Sequence, residues 1–338
     1  MDSVNQTRRR FAAAGLAAAG ASALRPGAAW AAAWKPDQVV EFVVPGGAGG
    51  ALDQAGRAMK QYFDDNRLGA KGMIVSNKPG GSGKVAFDQL RQRSGDPTVL
   101  SANTHGYIAS YLTGNLDVLP HRAFTTVAVL QDEFLVLAVR TDSPLKRLGD
   151  AMEALRRNPQ SLSIAVATSV GNHIHVGTAK ALKAAGVDIT KLVVAPFKSS
   201  AESMVALMGG HIDLVAATTP NAITPLQGGK IRLLTVSADK PLGGAFAGVP
   251  TWREAGVDTE FSSALGIVAP AALTGDQVEF WESTCRTMVQ SDLWKQLAER
   301  NQSRPRFLSA SAATRFYEQE TNSMRDIVRE LGLLGAGK

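Results

Sequence analysis

Cysteine is almost absent: Cys285 stands alone in 338 residues. No intramolecular disulfide can form, even in a compartment that would permit one. The lone thiol lies far from the amino terminus, which excludes a lipid-attachment cysteine of the lipoprotein kind. The stretch from Trp281 to Met288 has helical character, so Cys285 reads as a half-buried packing thiol and not a nucleophile. Long apolar runs are missing too. After the first thirty residues no run of 18 apolar residues occurs, so no transmembrane helix is expected. There is no low-complexity tract, no Pro- or Ser-rich linker and no repeat of the solenoid type. Excess charge of one sign is small, at +6, and evenly spread, which argues against nucleic acid as a partner. No zinc signature, paired-carboxylate motif or locally cued Ser/His/Asp arrangement is found, so neither metal nor cofactor is expected. A triad is defined by geometry, however, and one sequence leaves it open.

What is present begins at the amino terminus. Arg8, Arg9 and Arg10 precede Phe11, an uncharged Ala/Gly/Leu run follows to Leu24, and small residues surround Trp30. These are the basic region, apolar region and cleavage point of an export signal. Paired arginines before Phe11 resemble the twin-arginine address, which is read by a receptor and does not anchor the chain. Residues 1–31 are therefore expected to be removed near Ala31, leaving about 307 residues of mature chain in the periplasm. Four of the arginines leave with this segment, and the charge falls to about +3. Export disfavours most ATP- or NAD-dependent chemistry.

The remaining pattern alternates strand and helix, which predicts α/β layering with largely parallel sheets. Strands are expected at 39–44, 73–76, 98–102, 162–167, 192–197, 212–216, 231–236 and 265–268. A longer strand over 127–139 is expected to break around Gln131, Asp132 and Glu133. Helices are expected after the first glycine loop, at 84–93, 174–185 and 200–208, and over 275–299 and 310–331.

Polar loops after strand ends are where open parallel sheets place ligands. The first runs Pro45, Gly46, Gly47, Ala48, Gly49, Gly50, Ala51, Leu52, Asp53. Its glycines allow close backbone approach, and a helix starting there aims free N–H groups and a positive dipole end at the loop. Such a concavity holds a carboxylate or phosphate without a basic side chain. The plain alternative is a tight turn. It is not a dinucleotide fingerprint, because Leu52 stands where the third glycine belongs. The later Gly80–Lys84 segment is not a phosphate loop: Lys78 occupies the first glycine position and Val85 the Mg²⁺-binding hydroxyl position. Further loops carry Asn103, Thr104 and His105, then Thr168, Ser169, Asn172 and His173, and then Thr218 with Asn221. Asp53, in the first helical turn, is read as satisfying backbone donors. His173 and His175 start a helix, where residues two apart diverge, so they are not read as a metal pair.

Taken in order, these segments resemble the solute-binding receptors of tripartite tricarboxylate transporters, the Bug or TctC-like receptors. Val43, Val44, Pro45 and the glycine loop are followed by Asp53 and Arg57, then by Asn77 to Gly83. The loop 169–172 with His175, the segment 194–200, Gly209 to Asp213, Gly229 to Leu234 and Val249 to Gly256 also match the family's order, over about 38–335. Residues 49–54 look more like the tricarboxylate-type subgroup. Phe197, Ser199 and Ala217 to Thr219 depart from the family's usual residues near the expected cleft.

The resemblance implies a two-lobed, type II-like periplasmic binding protein, with two α/β domains joined by two crossing strands. Domain 1 would comprise 34–130 and 268–338, and domain 2 would comprise 131–267. The implied function is capture of a small organic carboxylate by cleft closure and delivery to the membrane permease subunits, by a monomer without enzymatic activity. Gly47, Ala48, Gly49, Gly50 and Ala51 would hold the carboxylate, with Asp53 bracing the loop. Asn103, Thr104, His105, Thr168, Ser169, Asn172, Phe197 and Thr218 would line the walls. If Phe197 faces the cleft, it favours an apolar or aromatic ligand body. Two alternatives stay open: an extracytoplasmic hydrolase with His105 or His173 as base beside Ser169 or Thr104, and a receptor that feeds a signalling system.

Overall fold

A computed structural model describes residues 34–338. The expected export signal and its cleavage point near Ala31 lie outside the described residues.

Strand β1 (Val40–Val44) is β-branched and almost wholly buried, as a central strand must be. It is flanked in parallel by β2 (Met73–Asn77) and β3 (Val99–Asn103). Helix α1 (Ala51–Asp65) returns over this block and buries Ala55, Ala58, Met59 and Phe63, an apolar stripe at helical spacing. Gly56 faces the ring of Phe42 across the interface. Helices α2 (Lys84–Gln92) and α3 (His105–Leu112) complete the first set of strand–helix units.

The pivot of the architecture is β4 (Thr125–Arg140), sixteen residues long. Its first part pairs antiparallel with β9 (Ser262–Ala269) on one side and with β10 (Arg304–Leu308) on the other. Its second part pairs antiparallel with β7 (Leu214–Thr218) and β8 (Ile231–Val236). Beyond β7 lie β5 (Ser163–Ala167) and β6 (Val193–Phe197), parallel to it. Strand order is β2-β1-β3-β9-β4-β7-β5-β6. Helices α4 (Leu148–Arg157), α5 (His173–Ala184), α6 (Ser200–Met208) and α7 (Thr219–Gln227) cover the second block. Helices α8 (Gly275–Gln290), α9 (Asp292–Arg300) and α10 (Ala310–Glu330) close the chain.

Several elements differ from the sequence reading. The sheets are parallel only within the β1–β3 and β5–β7 blocks; β4, β8, β9 and β10 run antiparallel to their neighbours. The polar trio Gln131, Asp132 and Glu133 does not break β4. The strand absorbs irregularity through register shifts against β9, between Thr126 and Ala128 and between Val129 and Gln131. Asp132 is satisfied by Arg306, at 3.1 Å, and by the Ser262 hydroxyl, at 3.0 Å. The segment 275–299 is two helices, because the Ser291 hydroxyl accepts the Trp294 N–H and starts a new one. Helices α3, α4 and α7 and strand β10 were not expected. Pro220 and Pro225 disguise α7, and Pro305 disguises β10.

One large apolar cluster, including Leu112, Leu137, Leu182, Trp252 and Tyr317, spans elements of both blocks. A smaller cluster around Phe87, Tyr107 and Phe124 supports the first block, and one around Phe134, Leu207 and Phe246 supports the second. Cys285 is completely buried, and burial, with the nearby Glu282 charge, pushes its thiol up to about 12. Among the described residues no helix is long and apolar enough to cross a membrane.

Candidate functional site

The carboxyl ends of β1, β3, β5 and β7 converge on an open cavity of about 450 Å³. Gly47, Gly50, Ala51, Thr104, Thr168, Ser169, Asn172 and Thr218 line it. Of the other sequence-expected residues, Gly49 lines an adjoining recess of about 370 Å³, which shares Gly50, Ala51 and Thr218 with the main cavity. Ala48, Asp53, Asn103, His105 and Phe197 line neither space.

The first wall is built by α1. Its N-cap is Gly50, so the opening amides of the helix have no carbonyl one turn back and are free to receive an acceptor. Asp53 sits beneath the loop, 2 % exposed. Its carboxylate accepts the Gly49 N–H at 2.8 Å, the Asn77 amide at 3.0 Å and the Arg57 guanidinium at 2.8 Å. The Arg57 hydrogen bond, against the opposing effect of burial and with help from Gly49 and Asn77, holds the carboxyl down to about 2. Asp53 is thus a brace that fixes the loop's path. Gly49 itself has φ +80°, where a side chain would be strained. The buried Tyr107 hydroxyl donates to Pro45 O at 2.8 Å and ties α3 to the same loop.

The opposite walls are capping loops. Thr104 accepts the Gly106 N–H at 3.2 Å to begin α3. Asn172 begins α5: its Oδ1 accepts the His175 N–H at 2.9 Å, and its Nδ2 donates to Ala167 O. His175 Nδ1 accepts the Gly171 N–H at 2.9 Å, which fixes the turn carrying Ser169 and Asn172. His173 lines the cavity, and its imidazole is pulled down to about 4, chiefly by burial. It is therefore neutral near neutral pH, one nitrogen donating and one accepting.

His105, expected at the wall, is fully buried elsewhere. Its Nδ1 accepts the Ala264 N–H at 3.0 Å, so Nε2–H faces Glu320 at 3.2 Å. Both nitrogens are committed to joining α3, β9 and α10. Asn103 is completely buried at the end of β3. Phe197 is half-buried against the second block's apolar cluster, so its ring fills core space.

Asn221, named with the Thr218 loop, lines the cavity from the first turn of α7, where its amide donates to Thr218 Oγ1 at 2.8 Å. Two contributors were missed, Ser263 from β9 and Glu133, which lies on β4 and lines both the cavity and the recess. Burial pushes its carboxyl up to about 7, and a hydrogen bond from Thr218 opposes that only in part. Its one sequence signal was an acid inside an apolar strand, read as a break. No Lys or Arg lines the main cavity, among the described residues. The arrangement offers backbone and hydroxyl donors without a fixed cation. Among the described residues no group of three His, Cys, Asp or Glu side chains could hold a metal ion.

A second cavity, about 560 Å³, opens on the other side of β4. It is larger but internally paired: Arg306 meets Asp132, and Arg304 meets Asp239. Its charges already answer one another.

Comparison with known proteins places the chain. The family model described as "Tripartite tricarboxylate transporter family receptor" matches residues 61–333. A relative from Cupriavidus necator, "UPF0065 protein in gbd 5'region", is 25% identical over 334 residues, covering 98% of this chain and 99% of the relative. Among solved structures, a TctC solute-binding protein from Polaromonas superposes with a TM-score of 0.73 at 20% identity, covering 88% of this chain and 99% of that one. Rpa4515 of Rhodopseudomonas palustris, solved with adipate, gives 0.73 at 24% identity, over 88% and 98%. MatC of the same organism, solved with malate, gives 0.69 at 20% identity, over 86% and 98%. With the family model covering most of its length, the chain belongs to the tripartite tricarboxylate transporter family receptors.

Proposed function

We propose that the protein is an extracytoplasmic receptor that captures a small organic carboxylate and delivers it to the permease subunits of a tripartite transporter. The observation that carries this reading is the cavity wall formed by the start of α1, where helix-opening amides behind Gly50 face the cleft. Charge-assisted hydrogen bonds from such donors hold a carboxylate without a salt bridge. Gly47, Gly50 and Ala51 take the acid; Thr104, Thr168, Ser169, Asn172 and Thr218 hold the body; Asp53 keeps the loop in shape. The malate and adipate named for two structural relatives agree with this ligand class.

Closure is the mechanism. The two domains comprise 34–130 with 268–338, and 131–267. The passage of β4 from one strand block to the other supports a hinge there. Ligand bridging both walls stabilises the closed form, and a membrane partner distinguishes closed from open by shape. The receptor acts as a monomer in the periplasm after loss of residues 1–31 through a twin-arginine route. Thermal shift against a panel of organic acids tests the reading. At least one carboxylate should raise the midpoint, and the rise should vanish in Gly50→Pro, which removes the Gly50 N–H at a φ of −72° that proline itself adopts. No response to any carboxylate refutes it.

A further inference from the structure

Resting on the carboxylate reading of this cleft, we infer that the receptor selects ligands that carry an ammonium group as well as a carboxylate, with Glu133 as the residue that recognises the ammonium. The cavity is polarised. One wall presents helix-opening amides, which accept nothing and only donate. Elsewhere on its lining sits the one acid among the cavity residues, Glu133, with no Lys or Arg beside it in that lining. Arg300 lines the adjoining recess, which Glu133 also borders.

The hydrogen-bond direction around Glu133 is already set. The Asn221 amide donates to Thr218 Oγ1 at 2.8 Å, which leaves the Thr218 hydroxyl proton for Glu133. Glu133 therefore accepts at one oxygen, and among the residues that line the cavity none supplies it a counter-charge. A ligand hydroxyl would supply a hydrogen bond but no counter-charge to favour the ionised form of Glu133, which burial disfavours. An ammonium supplies both. A second carboxylate in the ligand would add like charge to a site without a lining cation. His173 does not alter this balance, because burial keeps it neutral.

Two matched ligand series test the inference by calorimetry on ligand-stripped protein: 4-aminobutyrate, 4-hydroxybutyrate, butyrate and succinate, and alanine, lactate and propionate. The amino member of at least one series should bind about tenfold or more tightly than its partners, since sites built around a buried polar group discriminate strongly against analogues that leave it unpaired. Glu133→Gln should erase that preference, while Glu133→Asp, which keeps the charge, should retain its direction. Preference for succinate or for the hydroxy acids, or an amino preference that survives Glu133→Gln, overturns the inference alone. Absence of binding by any carboxylate removes the cleft reading with it. The wild-type ranking is decisive even if a variant does not fold.

Discussion

Ionising Glu133 costs the ligand-free protein stability, and the cost is measurable. Its carboxyl moves from an ordinary 4.5 to about 7, because burial disfavours the charge more than the Thr218 hydroxyl favours it. At about 1.4 kcal/mol per pH unit this corresponds to roughly 3 kcal/mol, or about 2 after allowing for a half-buried side chain screened by cavity water. The sign follows from proton binding. Between 4.5 and 7 the folded protein keeps a proton that the unfolded chain has released, so stability falls as pH rises through this window and is level above it. Glutamine has no proton to lose. Glu133→Gln should therefore match wild type near pH 4.5 and exceed it by about 2 kcal/mol at pH 8. His121, His173 and His175, each displaced downward to about 4 chiefly by desolvation, work in the opposite direction, but they are common to both proteins and cancel in the difference. Urea unfolding of ligand-free protein at the two pH values is the assay. A difference between variant and wild type that is the same at both pH values refutes the reasoning.

The remaining expectations concern the frame of the site. Asp53→Asn should cost about 1–2 kcal/mol at neutral pH, since three donors lose a carboxylate but the Arg57 partner is 58% exposed. Because the Asp53 carboxyl is depressed to about 2, that cost should shrink as pH falls from 4 towards 2, and a pH-independent difference in chemical denaturation would count against the brace. Gly56→Ala places a Cβ 2.8 Å from the fully buried Phe42 ring, so overpacking of about 1–3 kcal/mol should outweigh any gain in helix propensity and lower the melting temperature. A raised melting temperature would show the ring to be yielding. Asn172→Ala removes the cap that accepts the His175 N–H, worth about 1 kcal/mol, and should speed hydrogen exchange at the start of α5. Unchanged protection there would contradict the capping role.

The strand–helix units were legible because their cores are written locally. The β-branched run 40–44, the apolar stripe through Met59 and Phe63, and the glycines at loop ends each announce an element without outside help. What could not be read was set by partners distant in sequence. Strand β10 holds Arg304, Pro305 and Arg306 and has no apolar alternation; it is a strand because β4 offers an edge. The trio 131–133 looked like a break because polar residues rarely interrupt a strand. Arg306, 174 residues away, is what makes Asp132 affordable there. Helix α7 begins at Thr219 with Pro220 in its first turn, and the strand before it runs two residues further than expected, through Thr218. That extension brings Thr218 into the lining as a strand end and Asn221 in behind it.

The site shows the same division. Residues placed by their own loop, such as Gly50, Ala51, Ser169 and Asn172, reach the cavity, because strand ends in such sheets open towards it. His105 stands next to Thr104 in sequence, yet its ring turns to β9 and α10, where Ala264 and Glu320 occupy both nitrogens. A donor-rich loop thus announces its backbone reliably and its side chains poorly. Glu133 is the converse: a residue on a strand with no loop signature, delivered to the cleft because β4 passes between the two blocks just there. The strand that would carry the hinge also carries the acid. A closure that moved β4 would therefore change the Glu133 surroundings directly, and ligand contact and domain movement would be coupled through one element.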